Sequence, residues 1–153
     1  MFRRPQRQVH AVFLHCSASD DEALAGAGLL REIERWHLAR GFSGIGYHFV
    51  IDKNGVLMRG RDTEATPAAQ QNFNKGTLAI CVHGLAKEKF TDAALATAQG
   101  LCDQINHAYR GNIVFRGHCE VSAKSCPVFD FRALLQLDKG GKMPLELKKG
   151  PSK

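Results

Sequence analysis

Apolar residues fall in short runs along this chain, and the runs alternate between strand-like and helix-like spacing. "VHAVFLH" (9–15) is nearly continuous, β-branched and aromatic, the pattern of a buried strand ending at His15. "LLREIERWHLAR" instead sets Leu29, Ile33, Trp36 and Arg40 on one helical face, with Gly41 as its stop. Ahead of it, Ser19 and Glu22 have capping-box spacing, although Gly26 and Gly28 weaken a helix beginning there. "YHFVI" (47–51) reads as a strand, and Asn54-Gly55 supplies a hairpin turn into "VLMRGR". "TLAICVH" (77–83) is a further continuous apolar strand, which suits a central position.

Thr91 is placed to cap a helix whose apolar positions are Leu95, Ala98, Cys102, Ile105 and Tyr109. "NIVFRGH" (112–118) is another strand, ending at His118, and Asp130 caps a last short helix, "FRALLQL". The alternation predicts an α/β fold: a single domain with a central mixed β-sheet flanked by helices.

Composition narrows this picture. A chain of 153 residues, 44% hydrophobic and 24% charged, fits one domain with a real core. No run approaches the roughly 18 apolar residues of a membrane helix, so no transmembrane segment is expected. No apolar stretch of signal-peptide length follows the basic start "MFRRPQRQVH", so no secretory signal is read. The net charge of +6 suits an anionic polymer: nucleic acid, an acidic membrane surface or an acidic wall polymer. Much of the excess lies at the ends. Residues 1–8 read as a basic extension, 9–138 as the domain, and "KGGKMPLELKKGPSK" (139–153) as a basic, flexible tail. Five cysteines, an odd count without an export signal, argue for reduced thiols over a disulfide framework. Cys81 and Cys102 read as buried small hydrophobes.

The chemistry concentrates in "FRGHCEVSAKSCPVFD" (115–130). His15 and His118 both end apolar strands, where open α/β sheets carry their sites. A catalytic zinc site needs three protein ligands and an open fourth position. His118 and Cys126 can supply two across a returning loop that Pro127 stiffens, and His15 a third from a neighbouring strand. Imidazole and thiolate both suit zinc. Seven histidines and five cysteines also give accidental pairs, and an isolated His…Cys spacing is more often structural. Strand alternation turns Cys16 away from the face of His15, and Cys119 away from the metal face into the core.

"FLHCSAS", "REIERWHLARGFSGIGYHFVIDKNG", "LAICVHG" and "GHCEVSAKSCPVFD" together resemble, in order and spacing, the zinc-dependent N-acetylmuramoyl-L-alanine amidases. These are the phage lysozyme-type amidases, related in fold to peptidoglycan recognition proteins. The resemblance covers about residues 10 to 136. It implies one Zn2+ held by His15, His118 and Cys126, with Tyr47 as the catalytic tyrosine and Lys124 as the oxyanion lysine. Asn74 matches the family's loop asparagine, and Asn74 and Trp36 are the candidate substrate contacts. Pro67, Ala68 and Ala69 stand where many relatives have a histidine-bearing segment. His48 reads as a structural histidine and His37 as a helix residue covering the sheet; His10, His83 and His107 have no motif support.

The implied activity is hydrolysis of the amide between N-acetylmuramic acid and L-alanine, by a phage or prophage endolysin. Such an enzyme is expected to be a monomer, cytoplasmic until released, then acting on cell-wall peptidoglycan, with no nucleic-acid partner. A non-catalytic peptidoglycan-binding module is the competing expectation. Relatives of that kind generally lack the cysteine ligand, so Cys126 favours the enzyme.

Overall fold

The computed structural model describes residues 1–149. Five strands form one mixed sheet: β1 (Ala11–Cys16), β2 (Phe49–Ile51), β3 (Leu57–Arg59), β4 (Thr77–Val82) and β5 (Val114–Gly117). Their order across the sheet is β3-β2-β4-β1-β5, with every pair parallel except the β2–β3 hairpin. Among the described residues three α-helices accompany it: α1 (Gly26–Ala39), α2 (Asp92–Ala108) and the single turn α3 (Phe131–Leu134).

Alternation along the strands divides the core into two layers. Val12, Leu14 and Cys16 of β1, Leu78, Ile80 and Val82 of β4, and Phe49 and Ile51 of β2 face α2, where Ala94, Ala98, Leu101, Cys102 and Ile105 cover them. The opposite face carries a smaller apolar cluster of Leu29, Ile33, Ile45, Val50 and Cys81 under α1. β4 is buried along its whole length at the centre of the sheet, as its unbroken apolar run requires.

The expected turn and two of the expected caps are present. Gly55 has φ +80 in the Asn54-Gly55 turn, Thr91 Oγ1 accepts from Ala94 N–H at 3.0 Å, and Asp130 Oδ1 accepts from Ala133 N–H at 3.1 Å. The capping box at Ser19 and Glu22 is not. Helix α1 begins at Gly26 with no cap from its own preceding residue. Buried Asp52 does that work from the end of β2: its Oδ2 accepts from Gly26 N–H at 2.8 Å, while Oδ1 accepts from Asn54 and Val56 N–H.

The described parts of the basic extension (1–8) and of the tail (139–149) pack onto the domain. Phe2 meets the rings of Phe49 and Tyr109, and Arg4 lies over Tyr109 at 4.5 Å. Arg7 donates to Thr77 O and Thr63 O, both at 2.7 Å. At the other end Met143 is buried, Asn106 donates to the carbonyls of Met143 and Pro144, and Gln136 exchanges two bonds with the Lys148 backbone. A few apolar side chains, Phe2 at one end and Met143 and Leu147 at the other, anchor these segments, a signal that the surrounding charged residues conceal. The last four residues of the expected tail lie outside the described ones. Among the described residues no helix is long and apolar enough to cross a membrane.

Candidate metal centre

Parallel pairing of β1 with β5 brings the carboxyl ends of the two strands together, and with them His15 and His118. Their ring centroids are 4.7 Å apart. Cys126 arrives by a returning loop that starts with a 3-10 turn over His118–Glu120. The Cys119 N–H donates to Cys126 O at 2.7 Å and closes that loop. The ligand atoms of His15, His118 and Cys126 all lie within 4.8 Å of one another, with Cys126 Sγ 3.9 Å from His15 Nδ1. Tetrahedral zinc with ordinary Zn–N and Zn–S bonds spaces its ligands by roughly 3.3–3.6 Å, so small movements accommodate the ion. Two imidazoles and one thiol make a donor set that fits zinc.

The electrostatics agree with ligand duty. Burial, then the neighbouring His118, hold His15 down to about 3, so its ring is neutral at ordinary pH. Burial and the Lys124 ammonium lower His118 as well. The adjacent Cys16 sulfur, with burial, pushes the Cys126 thiol up, so a cation is what turns it into a thiolate. The Cys16 N–H points at Cys126 Sγ from 3.1 Å and supports negative charge there.

A cleft of about 410 Å³ opens over His118 and Cys126, with Trp36, His37, Arg40, Tyr47 and Lys124 in its walls. Tyr47 packs between His15 and His37 with its ring tilted to both, at 5.2 and 5.1 Å between centroids. Burial raises its phenol well above the usual range, so the hydroxyl keeps its proton. Lys124 is exposed at the mouth, close enough to bias both histidines.

Four of the five expected metal and catalytic residues, His118, Cys126, Tyr47 and Lys124, therefore line one cleft with Trp36, while His15 lies buried against His118 and Cys126. Asn74 has other work: its Oδ1 accepts from Ala69 and Gln70 N–H at 3.0 and 2.9 Å, and it borders an adjoining cavity with Arg40 and Phe42. His48 is structural as expected, accepting from Ala79 N–H at 3.0 Å and reaching Ala65 O at 2.8 Å. Two thiols depart from expectation. Cys119 is exposed, not core, because strand alternation stops where the 3-10 turn begins. Cys16 does face α2, yet it lines the cleft edge and touches Cys126, because Cys126 wraps around the strand end.

Two polar residues at the site were not anticipated. His37 borders the cleft as well as covering the sheet, its Nδ1 accepting from Gly46 N–H at 2.8 Å. Gln70, fully buried, places Oε1 2.8 Å from His15 Nε2. It belongs to the loop that departs from the resemblance at Pro67–Ala69. That loop packs so tightly on Gly46 that a Cβ there would overlap the Ala68 carbonyl. A glutamine in a variable loop carries no spacing signal that could have exposed it.

This chain is similar in sequence and fold to known proteins. The endolysin of Escherichia phage T7 is 32% identical over 135 residues, covering 84% of this chain and 87% of the relative. The endolysin of Enterobacteria phage T3 is 31% identical with the same coverage. Among solved structures, the N-acetylmuramoyl-L-alanine amidase LysC from Clostridium intestinale URNW superposes with a TM-score of 0.74 at 26% identity, over 84% of each chain. The pattern of the N-acetylmuramoyl-L-alanine amidases matches residues 5–129, and the chain belongs to that family.

Proposed function

We propose that this chain is a peptidoglycan-degrading endolysin, cleaving the amide between the lactyl group of N-acetylmuramic acid and L-alanine with one zinc ion held by His15, His118 and Cys126. The observation that carries the reading is the convergence of those three donors within 4.8 Å of one another, with His118 and Cys126 lining a cleft that Tyr47 and Lys124 also line. Bound there, zinc supplies Lewis acidity for the scissile carbonyl and for the attacking water.

The chain's own residues do the rest. Neutral His15 and His118 present nitrogen lone pairs, and the thiolate of Cys126 offsets part of the ion's charge. Tyr47, protonated at working pH, donates a hydrogen bond to the carbonyl oxygen as it gains charge. Lys124 brings a positive charge to the same oxygen from the cleft mouth, the kind of term that dominates acyl chemistry. Trp36 and Arg40 form the wall along which a glycopeptide strand lies. Water adds to the carbonyl carbon and the C–N bond breaks. The lactyl group leaves as a carboxylate, and the stem peptide leaves with a free L-alanine amino terminus. Acting as a monomer, the enzyme reaches this substrate in the cell wall after release from the cytoplasm.

Purified protein incubated with peptidoglycan should release stem peptides with free L-alanine amino termini. Chelator should stop the release, and Cys126→Ser and His15→Ala should each lower it at least about 10³-fold, the equivalent of several kcal/mol of lost Lewis-acid stabilisation. Release that persists in both variants would overturn the zinc reading. Binding without release by the wild type would identify a recognition module instead.

A further inference from the structure

We propose that Gln70 is a positioning residue: it fixes the tautomer and aim of His15 so that Nδ1 presents its lone pair to the metal. The inference rests on the zinc site proposed above and goes to a residue outside the ligand set.

Hydrogen-bond connectivity around Gln70 leaves one consistent assignment. Its Nε2 lies 3.2 Å from Phe73 O and 2.8 Å from Thr77 Oγ1. A backbone carbonyl only accepts, so the amide nitrogen must be the end facing Phe73. The Thr77 hydroxyl donates its proton to Asn74 O at 2.7 Å, leaving oxygen lone pairs to receive the second Gln70 N–H. Oε1 is then the end that faces His15, 2.8 Å from Nε2, and a carboxamide oxygen can only accept. His15 must carry its proton on Nε2. Nδ1, on the side of Cys126 Sγ, is left with its lone pair.

This relay is itself held rigidly. Gln70 and Thr77 are buried, and Thr77 opens the central strand β4. Asn74 Oδ1 accepts from Gln70 N–H at 2.9 Å, so the loop asparagine positions the backbone of the residue that positions the ligand. Metal-bound histidines commonly donate their second N–H to an outer acceptor, and losing that acceptor typically costs 10–100-fold in metal affinity. Gln70 supplies that acceptor here from a loop that is unlike the resembling proteins just before it.

Two measurements decide the matter. Imidazole 15N–1H correlation spectra of the metal-free wild type should show His15 protonated at Nε2; a proton on Nδ1 would overturn the assignment. Zinc titrated against a chromophoric chelator should bind Gln70→Met roughly 10–100-fold more weakly than wild type. Methionine keeps the volume and removes the acceptor, and Gln70→Glu, which retains an oxygen toward His15 but sets a second one against Phe73 O, should bind zinc more tightly than Gln70→Met while recovering only part of the loss. Circular dichroism of each variant establishes that it is folded. A folded Gln70→Met with wild-type zinc affinity would sink the proposal, whatever its thermal stability. Should the wild type bind no zinc, the metal reading falls, while the spectrum still judges the hydrogen-bond assignment.

Discussion

The two faces of the sheet do different jobs. Beneath α2 lies a continuous apolar layer from Val9 to Met143. Beneath α1 the apolar cluster is small, and buried polar groups crowd round it: His15, His37, His48, Gln70 and Thr77. Each of those has a hydrogen-bond partner, as burial of polar groups demands. One face supplies stability, and so the other can hold neutral imidazoles in a dry wall beside an open cleft. Separating the jobs by face has a consequence for mutations: stability and activity should come apart.

A pair of substitutions tests that separation most forcefully. Ile105 is fully buried under the α2 face, and Ile105→Ala should cost about 2–5 kcal/mol of stability through lost burial and the cavity left behind. Activity per folded molecule should be unchanged. Lys124→Met should do the reverse, lowering kcat about 10²–10³-fold, as removal of a charge-stabilising donor does. Because the side chain is exposed, its stability should stay within about 0.5 kcal/mol of wild type. Urea unfolding and peptide-release kinetics on both variants settle the comparison. An Ile105→Ala enzyme with damaged kcat when folded would mean the faces are coupled.

What was legible in the sequence follows the same division. The α2 face was readable because its signals are local: an unbroken apolar run in β4, Thr91 one residue before its helix, Asp130 before the last turn. His15, His118 and Cys126 were legible because strand ends and a short loop place them almost by themselves. The α1 side was harder, because its partners are remote in the chain. Asp52 caps a helix that begins twenty-six residues earlier, and Gln70 meets a histidine fifty-five residues away. Alternation failed for Cys119 at the point where the strand became a 3-10 turn. The packing of the termini carried little signal, because Phe2, Met143 and Leu147 are scattered apolar positions inside charged stretches.

Acid should find the α1 face first. Burial holds both His48 and His37 down to about 4, against an unfolded value near 6.5. Between about pH 6.5 and 4 the unfolded chain takes up protons that these folded histidines refuse, so stability falls as pH falls through that window. At the usual 1.36 kcal/mol per pKa unit, His48 accounts for at most roughly 3.4 kcal/mol. The urea midpoint should drop between pH 7 and 4.5, and drop less in His48→Asn, whose side-chain oxygen can still accept from Ala79 N–H. Equal pH slopes in the two proteins would show that the loss arises elsewhere.

The smallest effect distinguishes a local cap from a borrowed one. Thr91 Oγ1 accepts from Ala94 N–H at 3.0 Å and donates to Lys53 O at 2.6 Å, so one hydroxyl both caps α2 and ties it to the hairpin after β2. Thr91→Ala should cost about 1 kcal/mol, the ordinary value of an N-cap, with up to about 2 if the tie to Lys53 counts separately. Thr91→Ser keeps both bonds and should restore most of it. The loss should appear in urea unfolding and leave peptide release untouched, since α2 covers the face away from the cleft. Lower release by folded Thr91→Ala would mean that the α2 cap communicates with the metal centre, and the division of labour between the faces would need redrawing at the β2–β3 hairpin.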